Sequence, residues 1–266
     1  MDALIHYGFL QRALFAGVFI AVVCALLGVF LILRRDSMIG HGLAHVTFAG
    51  VAVGLVLHIM PMIAALAVAV ITALGIMKLK LRAGLYGDTA IAIFSSTGFA
   101  AGILLVSLSK NFNVDLFGYL FGDILAIKQE EVWLSIGFTI LVTAVVVINY
   151  KKFLYATFDR ESAKVSGIKV EKLDSVLTVL TAVTVVLGMK VVGILLVSAL
   201  LVIPAAAGLQ LASNFKQSII VSVSVSVISV IAGLYLSVVF DFPASGTIVI
   251  LSFFIFIIFF GIRRKK

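Results

Sequence analysis

The chain has 266 residues, of which 63% are hydrophobic and 12% are charged, and its mean hydropathy is +1.27. About a quarter of the residues in a soluble domain are charged, so this composition excludes an ordinary soluble protein. Several apolar runs approach the ~20 residues with which a helix crosses the ~30 Å hydrocarbon core of a bilayer. We therefore predict an all-α polytopic protein of the cell membrane, with about eight to nine transmembrane helices in one domain over residues 1–266.

The predicted spans follow one another with short connections. They cover residues 13–33, 38–58, 62–77, 89–108, 131–149, 174–189, 191–210, 217–240 and 247–262. Charge follows the first run at Arg34 and Arg35, which is typical of a retained helix and not of a cleaved signal peptide. Pro204 is predicted to interrupt its helix, because proline removes a backbone hydrogen bond. Residues 221–229 alternate valine and serine as a strand would, but a helix is favoured because an open sheet edge cannot face lipid.

The basic residues predict the orientation of the chain. A net charge of +8 would favour nucleic-acid binding in a soluble protein, but here the basic residues lie mostly in connections between apolar runs. With the N-terminus outside and the C-terminus inside, every lysine and arginine falls on the cytoplasmic side except Arg12, Lys110, Lys128 and Lys190. This bias follows the positive-inside rule, so we expect no nucleic-acid partner.

Two histidines, His41 and His45, lie four residues apart in the second predicted span. On a helix both rings project from one face. Titratable groups at membrane depth usually face a bundle interior or a water-filled path, and a neutral imidazole is a common metal ligand. The pair therefore predicts a transition-metal pathway; the alternative is that either ring only hydrogen-bonds a neighbouring helix. In the same span, Gly50 and Gly54 are spaced for close contact between helices.

Two longer polar stretches separate the spans. Residues 109–130 are predicted to form an outer loop with a short or re-entrant helix, and residues 150–175 a cytoplasmic loop. The second loop can form short helices that dock into a groove on a cytosolic partner; the alternative is a solvated connector. Asp115, Asp123 and Asp241 could line an outer vestibule that attracts cations or docks a binding protein, although solvated loop charges would look the same.

Five stretches together resemble the permease subunit of the zinc/manganese ABC importers. They are ALLGVFLILRR at 25–35, SMIGHGLAHVTFAGVAVGL at 37–55, FDRESAKVSGI at 158–168, VGILLVSALLVIPAAA at 192–207 and DFPASGTIV at 241–249. The resemblance implies a homodimer in the membrane, a cytosolic ABC ATPase dimer docked on the 150–175 loop, and an extracytoplasmic metal-binding protein. It also implies that the loop is a coupling helix through Phe158, Asp159, Glu161, Ala163 and Gly167. Gly42 and Pro204 are predicted to line the pathway or act as hinges.

His41 departs from the family, which commonly has Asp at this position. Two imidazoles favour a borderline metal such as zinc, whereas carboxylate oxygens suit manganese better. We therefore expect a divalent ion as cargo, zinc before manganese or iron, and no permanent cofactor. The two rings cannot fill a tetrahedral shell, so other ligands, the dimer mate or water must contribute.

The chain carries no phosphate-binding motif GxxxxGK[ST], which indicates that ATP is hydrolysed by a separate subunit and that this chain is not an enzyme. Two rival hypotheses remain open from the sequence. One is a stand-alone transporter or channel driven by an ion gradient, which would leave the 150–175 loop without a purpose. The other is an importer of a metal chelate, which would need a wider cavity than a bare ion.

Overall fold

A computed structural model describes residues 8–82, 87–108, 122 and 127–263, and all regular structure in these ranges is α-helical. The helices of the described ranges are α1 Gly8–Leu33, α2 Ile39–Val56, α3 Pro61–Arg82, α4 Gly87–Leu108, α5 Gln129–Ile148, α6 Tyr150–Phe158, α7 Arg160–Val165, α8 Val170–Val192, α9 Ile194–Leu211, α10 Phe215–Phe240 and α11 Ala244–Arg263.

Nine of these helices, counted over the described ranges, are long and apolar enough to cross a membrane. The two others, α6 and α7, are short and fall within the polar stretch 150–175, where short helices were expected. The prediction of an all-α polytopic membrane protein is therefore confirmed. The predicted orientation of the termini stays a prediction, and the outer loop over residues 109–130 lies almost wholly outside the described residues.

At two of the helix ends that differ from the predicted spans, lysines that were expected in a connection lie inside the helix. Helix α3 runs to Arg82, so Lys78 and Lys80 belong to the helix and not to a basic loop. Long lysine stems can follow a helix while the ammonium group reaches a polar partner. Lys80 does so, because its Nζ donates to Asp36 Oδ1 at 2.5 Å.

The boundary between α8 and α9 lies at Gly193, three residues beyond the expected position at Lys190. Gly193 has φ 88° and ψ 153°, a conformation that favours glycine and stops the helix. Lys190 stays inside α8 and pairs with Glu131. Helix α9 then continues without interruption through Pro204, so the predicted interruption is wrong, and the pathway or hinge role of Pro204 stays a prediction. The ring removes one backbone hydrogen bond, and the packing of α9 against α10 and α11 maintains the rest of the helix.

The chain groups into two compact units, and the prediction of one domain stays a prediction. The first comprises residues 1–32, 117–144 and 187–266. Within it α9, α10 and α11 pack on one another. Helix α10 contains the alternating segment, and its buried serines follow helical spacing: Ser218, Ser222, Ser226 and Ser229. Ser226 Oγ donates to the carbonyl of Ala21 in α1 at 3.0 Å, so this face packs closely against a second helix.

The second unit comprises residues 33–116 and 145–186. In it α2 packs against both α3 and α4. A Cβ on Gly50 would come within 2.5 Å of Ala65 Cα, and one on Gly54 within 2.6 Å of Pro61 Cα. The expected role of both glycines in close helix contact is confirmed, because α3 approaches α2 so closely that no larger side chain fits.

We predict that Gly50→Ala destabilises the protein, because the added methyl group meets α3 backbone atoms that cannot rotate away. Overpacking of this kind costs about 1–3 kcal/mol. For a chain of this size that corresponds to a fall in Tm of about 2–4 °C per kcal/mol, measured by thermal unfolding in detergent. The matched control is Gly137→Ala in α5, where nothing lies within 4 Å of the added Cβ. An equal fall in Tm for both variants would contradict the packing explanation.

Candidate functional site

Helix α2 is buried on nearly every side, and the histidine pair lies on the part of it that is accessible to solvent. Over residues 39–52 every side chain is buried except those of His41 and His45. His41 is exposed and His45 is half-buried. An apolar helix that is covered all round belongs to a core. The two imidazoles therefore lie where this core helix reaches the surface of the chain.

The two rings face each other at short distance. Their Nε2 atoms lie 3.2 Å apart, and the ring centroids are 4.6 Å apart at an interplanar angle of 88°. The prediction that both histidines share one face of a helix is confirmed. A separation of 3.2 Å suits a direct hydrogen bond, in which the tautomers decide which ring donates. It also suits one tetrahedral zinc ion, since two nitrogens at about 2.0–2.1 Å from such an ion lie about 3.3 Å apart.

Helix α4 positions His45 from the side. A Cβ on Gly98 would come within 2.8 Å of the Val46 side chain, so the two helices are in close contact. This contact brings the Phe99 ring edge-on to His45, with 5.0 Å between the ring centroids. Gly42 serves the same contact, because a Cβ there would collide with Ile91. The expected role of Gly42 as a pathway-lining or hinge residue stays a prediction.

The histidines are incomplete as a metal centre. In the described part of the chain, no cluster of three or more His, Cys, Asp or Glu side chains could hold a metal ion. A tetrahedral ion at the pair would need two further ligands. Those ligands would have to come from water or from groups outside the described residues.

The segment from α6 to α8 folds around a small core of its own. Ala156, Ala163 and Val170 are buried together, with Ile168 and Leu173 packed against them. Ala163 thus faces inward and contributes by packing, not by exposing its side chain. The polar stretch therefore forms short helices that pack on one another.

The ends of α7 are set by two capping arrangements. Asp159 Oδ1 accepts a hydrogen bond from the Ser162 backbone amide at 3.0 Å, which caps the N-terminus. Hydrogen bonds from the side chain and backbone of Ser162 lower the pKa of Asp159. At the other end, Gly167 has φ 81°, and the amides of Gly167 and Ile168 bond back to the carbonyls of Lys164 and Ala163. This Schellman arrangement requires a left-handed residue, which explains the glycine.

The remaining coupling candidates are solvent-accessible. Phe158 is 65% exposed, and Glu161 is exposed with its Oε1 3.1 Å from Lys164 Nζ. Together with Asp159 they form an accessible end of the α6–α7 element. Contact of this element with an ATPase stays a prediction.

Of the three acidic residues expected at an outer vestibule, the structure describes Asp241 alone. Asp115 and Asp123 lie outside the described residues. Asp241 is exposed and ends α10 in the left-handed region, with φ 55° and ψ 39°. Aspartate tolerates this conformation better than most residues, so its observed role is to end the helix. The vestibule stays a prediction.

The second unit contains an ion-pair cluster that was not predicted from the sequence. Asp174, near the start of α8, pairs with Arg34 at 2.5 Å and with Arg160 at 2.6 Å. The available signal was weak: an arginine directly after one apolar run and an aspartate at the start of another. Their separation of 140 positions hides the pairing from any local pattern.

Membrane-length helices, a folded polar element between two of them and a titratable pair on a core helix define a polytopic membrane protein of the transport class. The chain belongs to the ABC 3 transport family, whose model matches residues 6–263. The resemblance on which the expectations rested is thereby confirmed. The chain is accordingly a multi-pass plasma-membrane permease of an ABC transporter and is not itself an enzyme.

Individual relatives cover almost the whole chain. The manganese transport system membrane protein MntC of Listeria innocua is 35% identical over 100% of this chain and 95% of its own length. The high-affinity zinc uptake system membrane protein ZnuB of Haemophilus influenzae is 34% identical over 92% of this chain and 94% of its own length.

Two solved structures are similar to this chain. The PsaBC structure from Streptococcus pneumoniae in complex with Fab matches with a TM-score of 0.86 at 32% identity, over 97% of this chain and 93% of that chain. A metal-chelate type ABC transporter in an inward-facing conformation shares the fold alone, with a TM-score of 0.77 at 15% identity over 99% of this chain and 88% of that chain.

We predict that Asp159→Ala loosens α7, because the first helical amides lose their side-chain acceptor. Hydrogen–deuterium exchange of peptides covering residues 156–170 should become faster at Ser162 and its neighbours. Asp159→Ser is the control, since a hydroxyl oxygen at the same position can still cap the helix. Exchange that is the same in the alanine variant and the wild type would show that the cap is dispensable.

Proposed function

We propose that this chain is the membrane-spanning permease of an ABC importer that moves a divalent transition-metal ion into the cytoplasm. The observation that carries the proposal is the histidine pair on the accessible part of α2, where the Nε2 atoms of His41 and His45 lie 3.2 Å apart. Two nitrogen donors at that separation can bind one cation. An incomplete shell suits a site that must also release its ion.

Zinc is the favoured cargo. Imidazole nitrogens suit zinc, whereas manganese prefers carboxylate, carbonyl and water oxygens. Manganese is the second candidate because relatives at similar identity are named for it, MntC of Listeria innocua among them. Iron is a weaker third possibility on the same ligand chemistry.

The proposed complex contains three kinds of partner. A second copy of the chain contributes groups that complete the ion's shell, and an extracytoplasmic binding protein delivers the ion. A separate ABC ATPase dimer supplies the energy, since this chain has no GxxxxGK[ST] motif. The ATPase docks on α6 and α7 through Phe158, Asp159 and Glu161, which are exposed there.

We predict that replacing both histidines, His41→Ala with His45→Ala, reduces ATP-driven uptake of zinc and manganese by about tenfold or more. A loss of about 1.4 kcal/mol in binding free energy already corresponds to tenfold in affinity. The measurement is radiolabelled or fluorescent metal uptake by proteoliposomes that contain the permease and its ATPase and are supplied with the metal-loaded binding protein. His58→Asn is the control, because it removes a histidine from the α2–α3 turn and keeps a residue that tolerates its φ of 53°. Undiminished uptake by the double variant would refute the role of the pair.

We predict that His41→Asp shifts selectivity toward manganese, because it replaces a nitrogen donor by carboxylate oxygens. The ratio of manganese to zinc uptake, measured with both metals competing, should rise on the order of tenfold. His41→Asn provides an oxygen donor without charge and should shift the ratio less. A ratio that stays at the wild-type value in the aspartate variant would mean that His41 does not contact the ion.

A further inference from the structure

A buried carboxylate connects two arginines from distant parts of the sequence. Asp174 Oδ1 lies 2.5 Å from Arg34 Nη1, and its Oδ2 lies 2.6 Å from Arg160 Nη2. The side chains of Arg34 and Asp174 are 6% and 10% exposed, whereas that of Arg160 is 41% exposed. Removing one partner of a buried ion pair leaves an uncompensated charge, so the Arg34–Asp174 contact resists separation.

Arg34 is also held to α6. Its Nε donates to Thr157 Oγ1 at 3.0 Å, and its guanidinium lies 5.6 Å from the centre of the Phe153 ring. The Thr157 hydroxyl in turn donates to the Phe153 carbonyl at 2.6 Å. Burial lowers the pKa of Arg34, and the Asp174 carboxylate opposes that shift. The guanidinium is thus fixed in position by α6 and α8 together.

Arg34 belongs to the short connection that leads into the histidine helix. Two residues further on, Asp36 accepts a hydrogen bond from Lys80 of α3, and its carbonyl accepts from the amide of Ile39 at 3.0 Å. Ile39 is the first residue of α2, and His41 follows two residues later. The start of α2 is therefore fastened to α6 and α8 through Arg34 and to α3 through Asp36.

We propose that Asp174, Arg34 and Arg160 form the link through which movement of α7 displaces the start of the histidine helix. Arg160 is the first residue of α7 and the accessible end of the link, whereas Arg34 is the buried end next to α2. Asp174 is ion-paired with both arginines, and its contact to Arg34 is also a charge-assisted hydrogen bond, so a displacement of Arg160 can be passed through Asp174 to Arg34. The link rests on the proposed function, in which an ATPase moves α7. The three residues are positioning residues and do not contact the ion.

The test compares ATP hydrolysis and metal uptake in the same proteoliposomes, which contain the permease–ATPase complex and are supplied with the extracytoplasmic binding protein loaded with Mn²⁺ or Zn²⁺. Arg160→Gln is the informative variant, because Asp174 keeps Arg34 as its partner and the buried charge stays neutralised. We expect ATP hydrolysis to stay within about twofold of the wild type while uptake per ATP falls roughly fivefold or more, the lower end of typical coupling free energies.

Two variants serve as controls. Lys164→Gln removes the same charge from the same helix, but Lys164 pairs with the exposed Glu161 and not with Asp174, so its uptake per ATP should match the wild type. Arg160→Lys keeps a cation within reach of Asp174 and should recover at least half of the wild-type ratio. A merely structural role of Arg160 would change yield or assembly but not this ratio.

Each outcome decides the question. A wild-type ratio in Arg160→Gln, or a parallel loss of hydrolysis and uptake, overturns the link. If that variant does not assemble, Thr157→Val decides instead, because it removes the acceptor for Arg34 Nε at nearly constant volume. Its uptake per ATP should fall by roughly two- to fourfold, and an unchanged ratio overturns the link. Absence of ATP-driven uptake of either metal by the wild-type complex contradicts the proposed function and not the link.

Discussion

A buried polar group in a membrane-length helix is stabilised by a partner within protein, because the hydrocarbon core of the bilayer offers none. The threonines of α8 meet this constraint by donating to carbonyls four residues earlier, as Thr178 does to Asp174 and Thr181 to Leu177. The charged residue near the C-terminal end of the same helix, Lys190, is paired with Glu131. His41 and His45 meet the same constraint by facing each other.

The positions of the helices were predictable because bilayer thickness sets the length of each apolar run. The ends were less predictable, since tertiary partners decide how far a helix continues. Lys80 lies within its helix and its ammonium group pairs with Asp36. Lys190 also lies within its helix and pairs with Glu131. Pro204 is a further case in which tertiary packing outweighs local preference. Proline favours a break in a helix, but α9 is continuous through it.

The candidate site also contains some features that could be predicted from the sequence and others that could not. The histidine pair could be predicted from the sequence because residues four positions apart lie on the same face of a helix. Ala163 could be matched to a motif, but only the structure shows that it is buried and packs against Ala156 and Val170. The contact between Arg34 and Asp174 joins residues 140 positions apart, and no periodicity or motif records a contact of that range.

The histidine pair can pass between two states that differ in the position of one proton. In a hydrogen bond at 3.2 Å, one ring carries its proton on Nε2 and the other accepts there. A metal ion at the same point needs the lone pairs of both Nε2 atoms, so the donating ring must carry its proton on Nδ1. In the proposed function, a cation that binds here would replace a hydrogen bond with a net worth of about 0.5–1.5 kcal/mol. That competition would weaken the hold on the ion, as a site that must release its ion requires.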